Sequence, residues 1–314
     1  MNVDGKMDLI SGMDSRLQSA TATGESAKVK TLRLLGIYTL TVLAVALVLS
    51  FPVEGICEHF GWFIHKPWGK FFRRCVMIVA VAGLWPLLRA LGMAGWERLG
   101  LRSPLVPAAA RVGGGWVLSF AAVMLVGWAA VLTGNRVWEG FTWSEAARPV
   151  AVGAAVGIFE ELFFRGVIFG ALRRDWGVAR ALWASSLIYA ALHFWSAPPK
   201  EMAGVLPALV SLTGLGTLLA WCYVKSGSLF LSIGVHAGAV AALRIMLAVT
   251  HGGGEELNWL FGSGAFTFVN GAAAWPVLAL LWLALAGFEG CIARFYARRN
   301  PRMGEGRTGT GLPG

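Results

Sequence analysis

The chain has 314 residues, 56% of them hydrophobic and only 14% charged, against about 25% charged in an ordinary soluble protein. Its mean hydropathy is +0.64. These values exclude a disordered chain, argue against a soluble domain and predict an all-α, polytopic transmembrane helical bundle. A net charge of +10 would suggest nucleic acid in a soluble protein. Here no basic patch interleaved with aromatics stands on a polar domain, so no nucleic-acid partner is expected; the excess reads as charge placed beside membrane spans. Fifteen Trp residues suit lipid interfaces, where an apolar ring with one donor is comfortable.

Residues 1–33 are polar and rich in Ser, Thr, Ala and Gly. They hold no apolar core for a cleavable signal and too little to bury, so a disordered tail is expected. Residues 34–292 form the expected bundle. Eight apolar stretches lie at about 34–53, 75–94, 113–133, 150–172, 178–196, 203–224, 228–249 and 271–292, each near the ~20 residues that cross a bilayer as a helix. Alternation with period two is absent, which argues against a barrel. Ser196-Ala-Pro-Pro-Lys-Glu201 separates spans five and six, and Lys225-Ser-Gly-Ser228 makes spans six and seven a tight helical hairpin. With eight spans and both termini cytoplasmic, the inner segments hold 18 of the 27 Lys and Arg and the outer segments 7, as the positive-inside rule requires. Lys66, Lys70, Arg73 and Arg74 run against it; an interfacial helix anchored by Trp62 and Trp68 explains that segment, though not its side. Residues 293–314 are a basic, Gly-rich tail, expected to be disordered. Cys57, Cys75, Cys222 and Cys291 lie far apart with no metal or disulfide spacing.

Ionisable groups inside a bilayer are costly, and each needs a reason. Span four carries Glu160, Glu161 and Arg165, span five His193, and span seven His236 and Arg244; Arg89 and Glu289 sit near span ends, where snorkelling relieves the cost. The titratable groups therefore collect on three helices, which is simplest if they surround one polar cavity. Glu161 and Arg165 are i, i+4 and can pair. Glu160 stands about 100° round the helix and need not be consumed by that pair. A free carboxylate beside a histidine can activate water, and a second histidine can donate to an oxyanion. Taken singly, a Glu–Arg pair reads as a structural clamp and a membrane His as an interhelical hydrogen-bonding residue; it is their combination that points to a site. His59 and His65 read as interfacial, and His251, beside Gly252-Gly-Gly254, as solvated. HExxH, GxSxG and GxSG are absent, and Gly113-Gly-Gly115 lacks the P-loop Lys.

Glu160-Glu-Leu-Phe-Phe-Arg165, Tyr189-Ala-Ala-Leu-His193 and His236 in Gly-Val-His-Ala resemble the three motifs, EExxxR, [FY]xxxH and HxxxN/D, of the CPBP (CAAX-prenyl-protease and bacteriocin-processing, or Abi) intramembrane proteases. The resemblance covers a core of about residues 150–250. It implies an eight-helix bundle with an intramembrane cavity and a glutamate-dependent, metal-free peptidase. By that resemblance Glu160 is the general base, His193 helps to bind and activate water, Glu161 and Arg165 hold the electrostatics of the site, and His236 stabilises the oxyanion. The third motif departs from the pattern, since Val240 stands where the family has Asn or Asp; losing such a donor typically costs ~10²–10³ in rate. Arg244, i+8 from His236, is the expected substitute.

The resulting expectation is a multi-pass protein, in a bacterial inner membrane, that cuts a membrane-associated protein or peptide. A prenylated Cys-a-a-X end is the substrate of eukaryotic relatives; a bacteriocin leader, a sorting signal or a regulatory membrane peptide fit equally. Three alternatives stay open. In the first, Glu160, Glu161, His193 and His236 ligate zinc. In the second, the protein is a non-catalytic immunity or scaffold protein. In the third, it is a proton-coupled transporter, weakened by the absence of a repeated half.

Overall fold

The computed structural model describes residues 3–61, 67–196 and 202–299. Its helices, in chain order, are α1 (Val3–His59), α2 (Trp68–Ala90), α3 (Leu105–Leu132), α4 (Ser144–Glu161), α5 (Gly170–Trp176), α6 (Val178–Ser196), α7 (Val205–Ser226), α8 (Phe230–Val249), the one-turn α9 (Asn258–Phe261) and α10 (Ala274–Arg299). Between α4 and α5 the helical backbone continues but widens into a π segment, Leu162–Phe169. Two short strands, β1 (Arg136–Trp138) and β2 (Thr250–Gly252), pair antiparallel with Val137 opposite His251. The chain is thus an all-α polytopic bundle.

Six of the expected spans are helices long and apolar enough to cross a membrane: Val29–His59, Trp68–Ala90, Leu105–Leu132, Met202–Ser226, Phe230–Val249 and Ala274–Tyr296. The other two expected spans differ. One is the α4–π–α5 run, which carries Glu160, Glu161 and Arg165 in its middle. The other is α6, whose apolar part, Val178–Phe194, is shorter. Residues 3–33, expected to be a disordered tail, continue α1 as helix; once a helix is nucleated, each added residue gains a hydrogen bond at little cost. Residues 293–299 likewise belong to α10. Trp62, His65, most of the Ser196–Glu201 separator and residues 300–314 lie outside the described residues.

The chain divides into two compact units. The first (Met1–Gly95 with Ala171–Val178) is built on the α1/α2 pair. The Tyr38 hydroxyl donates to the Ala80 carbonyl at 2.6 Å, and the Arg174 guanidinium donates to Leu91 O at 2.7 Å and Thr31 Oγ1 at 3.0 Å. Phe51, Trp68 and Phe72 stack in series.

The second unit (Trp96–Gly170 and Ala179–Gly314) is organised around α8. Two small-xxx-small patterns let its backbone approach its neighbours. On one face, Gly234 and Gly238 leave no room for a Cβ against Val112 and Trp116 of α3. On another, Gly153 and Gly157 of α4 do the same: a Cβ there would meet Ala237 O at 2.6 Å and Ala237 N at 2.9 Å. Larger side chains fill the rest. Val123, Val126, Ala130, Met246, Val249 and Phe261 form one apolar cluster; Leu215, Leu219, Leu231, Val235 and Leu285 form another. Glu289, expected to snorkel, is instead clamped by Arg111 of α3 through a forked pair at 3.0 and 2.5 Å; its side chain is 4% exposed, and a buried carboxylate needs such a partner. The α7–α8 hairpin turns at Gly227, whose φ of +66° is the left-handed conformation glycine tolerates at a helix end. His251 pairs with Glu139 at 2.9 Å on the exposed β1/β2 ribbon.

Candidate functional site

Glu160 and Glu161 close α4, and the π segment begins at the next residue. Single π turns inside α-helices frequently mark functional positions, because they shift side-chain register where the chemistry sits. Here the segment carries Arg165, whose side chain is 2% exposed. Its guanidinium donates from one nitrogen to Glu161 Oε1 at 2.7 Å and from the other to the Gly216 carbonyl of α7 at 3.0 Å. The Tyr189 ring lies 4.7 Å from its carbon, which adds cation–π attraction. Arg165 thereby ties the π segment to α6 and α7.

Glu161 has no exposed side-chain surface. Its Oε1 also accepts from His236 Nδ1 at 2.8 Å, so Arg165 and His236 share one carboxylate oxygen. With Nδ1 donating, the Nε2 of His236 is the nitrogen left for chemistry. His193 is held the same way by a different partner: its Nδ1 donates to the Tyr189 carbonyl at 2.9 Å, within one turn of α6. Its Nε2 is the nitrogen on the Glu160 side.

Both Nε2 atoms face one oxygen. Glu160 Oε2 lies 3.5 Å from His193 Nε2 and 3.7 Å from His236 Nε2. That oxygen is buried without a hydrogen-bond partner among the described residues, whereas the Glu160 side chain as a whole is 32% exposed. The carboxylate therefore reaches from an open edge to a buried point between two imidazoles. An ionised carboxylate only accepts, and an imidazole protonated on Nδ1 accepts at Nε2. Three converging acceptors form a set that binds a donor such as water or shares a proton.

The five sequence-predicted residues Glu160, Glu161, Arg165, His193 and His236 are thus brought together. Of the four residues in the zinc-ligand expectation, Glu160, His193 and His236 face a common point, while Glu161 has Oε1 bonded to Arg165 and His236 and Oε2 buried without a hydrogen-bond partner among the described residues. Among the described residues, no group of three or more His, Cys, Asp and Glu is placed to hold a metal ion. Arg244, the expected oxyanion substitute, is exposed. Eight residues of helix carry it about 12 Å along α8 from His236, and it makes none of the cluster's hydrogen bonds. Val240, half-buried, supplies no donor.

Three features were not read from the sequence: the carbonyl of Gly216, the π segment, and Phe266, whose ring packs 5.2 Å from that of His193. Phe266 lies 73 positions beyond His193 in a Gly-rich loop, and no spacing rule links the two.

Residues 142–242, the stretch that carries all five polar residues of the cluster, match the family described as type II CAAX prenyl endopeptidase Rce1-like. No curated protein and no solved structure matches the chain.

Proposed function

We propose that this chain, whose residues 142–242 match the Rce1-like endopeptidase family, is a CAAX-type intramembrane protease that hydrolyses its substrate with water activated by Glu160 and His193, without a covalent intermediate. The observation that carries the reading is the convergence of the His193 and His236 Nε2 atoms on Glu160 Oε2. Water held at that point attacks the peptide carbonyl carbon and gives its proton to Glu160. The carbonyl oxygen becomes an oxyanion and takes a hydrogen bond from His236 Nε2–H. The proton for that bond is the one His236 Nε2 shares with the converging Glu160 and His193 groups. As the C–N bond breaks, Glu160 returns the proton to the leaving amine. Tyr189 and Glu161 fix the two rings through their Nδ1 hydrogens.

The substrate is a membrane-associated protein or peptide cut near one end, a reading supported by the six helices long and apolar enough to cross a membrane. A prenylated C-terminal Cys-a-a-X segment is the substrate named by the family. Eight spans, both termini in the cytoplasm and a bacterial inner membrane complete the reading. The test is a comparison of protein termini in cells carrying wild type, Glu160→Gln and His193→Ala at equal protein levels. Termini present in wild type and lost in both variants support the assignment. The same termini in Glu160→Gln cells would refute it.

A second reading is supported by Val240, which offers no donor, and by the exposure of Arg244, which keeps it away from the His236 side of the cluster. In it the protein is a non-catalytic immunity or scaffold protein, and the terminus comparison shows no Glu160-dependent change.

A further inference from the structure

Three aromatic rings surround His193: Tyr189 at 4.0 Å, Phe266 at 5.2 Å and Phe164 at 6.4 Å. Phe164 and Tyr189 are buried, at 6% and 2% exposure. Phe266 is half-buried, so of the three it offers surface to a bound molecule. It comes from the loop between α9 and α10, outside the segment that matches the family.

That loop is built to hold Phe266 in place. Two residues on, Phe268 has a φ of +75°, a costly conformation for a bulky side chain. It is held there by an N–H bond to Phe261 O at 2.6 Å and by burial of its ring to 1% exposure. The Arg136 guanidinium lies 5.6 Å over that ring. Thr267 Oγ1 donates to Gly264 O at 2.8 Å, and Ser211 Oγ of α7 donates to Gly271 O at 3.0 Å. Strain of this kind persists where the surroundings over-determine a conformation, and it clusters at functional sites.

We infer that Phe266 is a specificity-determining residue of the peptidase site: its ring is the wall against which the apolar substrate side chain next to the scissile bond lies. This rests on the peptidase reading. His193 acts at the scissile carbonyl, and successive Cα atoms are about 3.8 Å apart, so a ring in contact with His193 lies within reach of a side chain flanking the cut. An aromatic wall in a membrane site favours apolar partners and limits their size, and pocket contacts of this kind discriminate by about tenfold or more.

The experiment compares protein termini in cells carrying wild type, Glu160→Gln, Phe266→Ala and Phe266→Trp at matched levels of membrane-inserted protein. Phe266→Ala should shift the residue distribution beside the cut toward bulkier side chains by roughly tenfold, and Phe266→Trp toward smaller ones. A packing role alone lowers every cleavage in proportion and leaves the distribution unchanged; that result overturns the inference while Glu160-dependent termini keep the peptidase reading. If Phe266→Ala does not accumulate, the Phe266→Trp distribution decides in the same way. Termini indifferent to Glu160→Gln overturn both.

Discussion

Arg165 acts at two points. It donates to Glu161 Oε1 with one nitrogen and reaches Gly216 O with the other. Truncating it to Ala leaves a fully buried carboxylate with only His236 as partner, a class of change that costs about 3–5 kcal/mol. The expected outcome is a large drop in thermal midpoint together with loss of cleavage. Lys keeps the charge but not the fork, so Arg165→Lys should accumulate better than Arg165→Ala yet still cleave poorly. Wild-type cleavage by Arg165→Lys would show that charge alone suffices. The identities of Glu160, Glu161, Arg165, His193 and His236 were legible from the sequence because charge in a membrane span is rare enough to stand out. Their division of labour was not. Glu161 orients His236 across 75 positions, and only the fold brings those residues together.

At the scale of elements, α8 is the helix on which the site depends, since it carries His236 and is clasped by α3 and α4 through glycine contacts. Gly238 has no space for a methyl group against Trp116 and Ser119, whereas a Cβ on Gly113 meets nothing within 4 Å. Gly238→Ala should therefore lower the thermal midpoint markedly and displace His236. Gly113→Ala, inside α3, should be neutral or slightly stabilising through helix propensity. Equal midpoints for the two variants would contradict the close α3–α8 packing. The GxxxG spacings Gly153/Gly157 and Gly234/Gly238 were present in the sequence, but which helix each faces depends on packing. The π segment corresponds to no residue pattern that the sequence offers.

At the scale of the molecule, an apolar bundle solvates a small charged cluster, and the cluster's chemistry depends on whether a metal joins it. The metal-free reading predicts that activity of purified protein survives exhaustive treatment with a zinc chelator. Activity lost to the chelator and restored by zinc would instead support the zinc-dependent reading, with Glu160, His193 and His236 as the converging ligands. By itself the sequence determined the all-α membrane class and singled out the polar residues that the fold brings together. Twenty-residue apolar runs have few options in lipid, and buried charge must serve a purpose. Only the tertiary structure decided which nitrogen of each histidine faces Glu160, that Arg244 stands apart from the cluster's hydrogen bonds, that Glu289 is clamped by Arg111, and that the Phe266 ring packs beside His193. Each of these depends on contacts between segments far apart in the chain, and such contacts follow from how the helices pack rather than from any local spacing of residues.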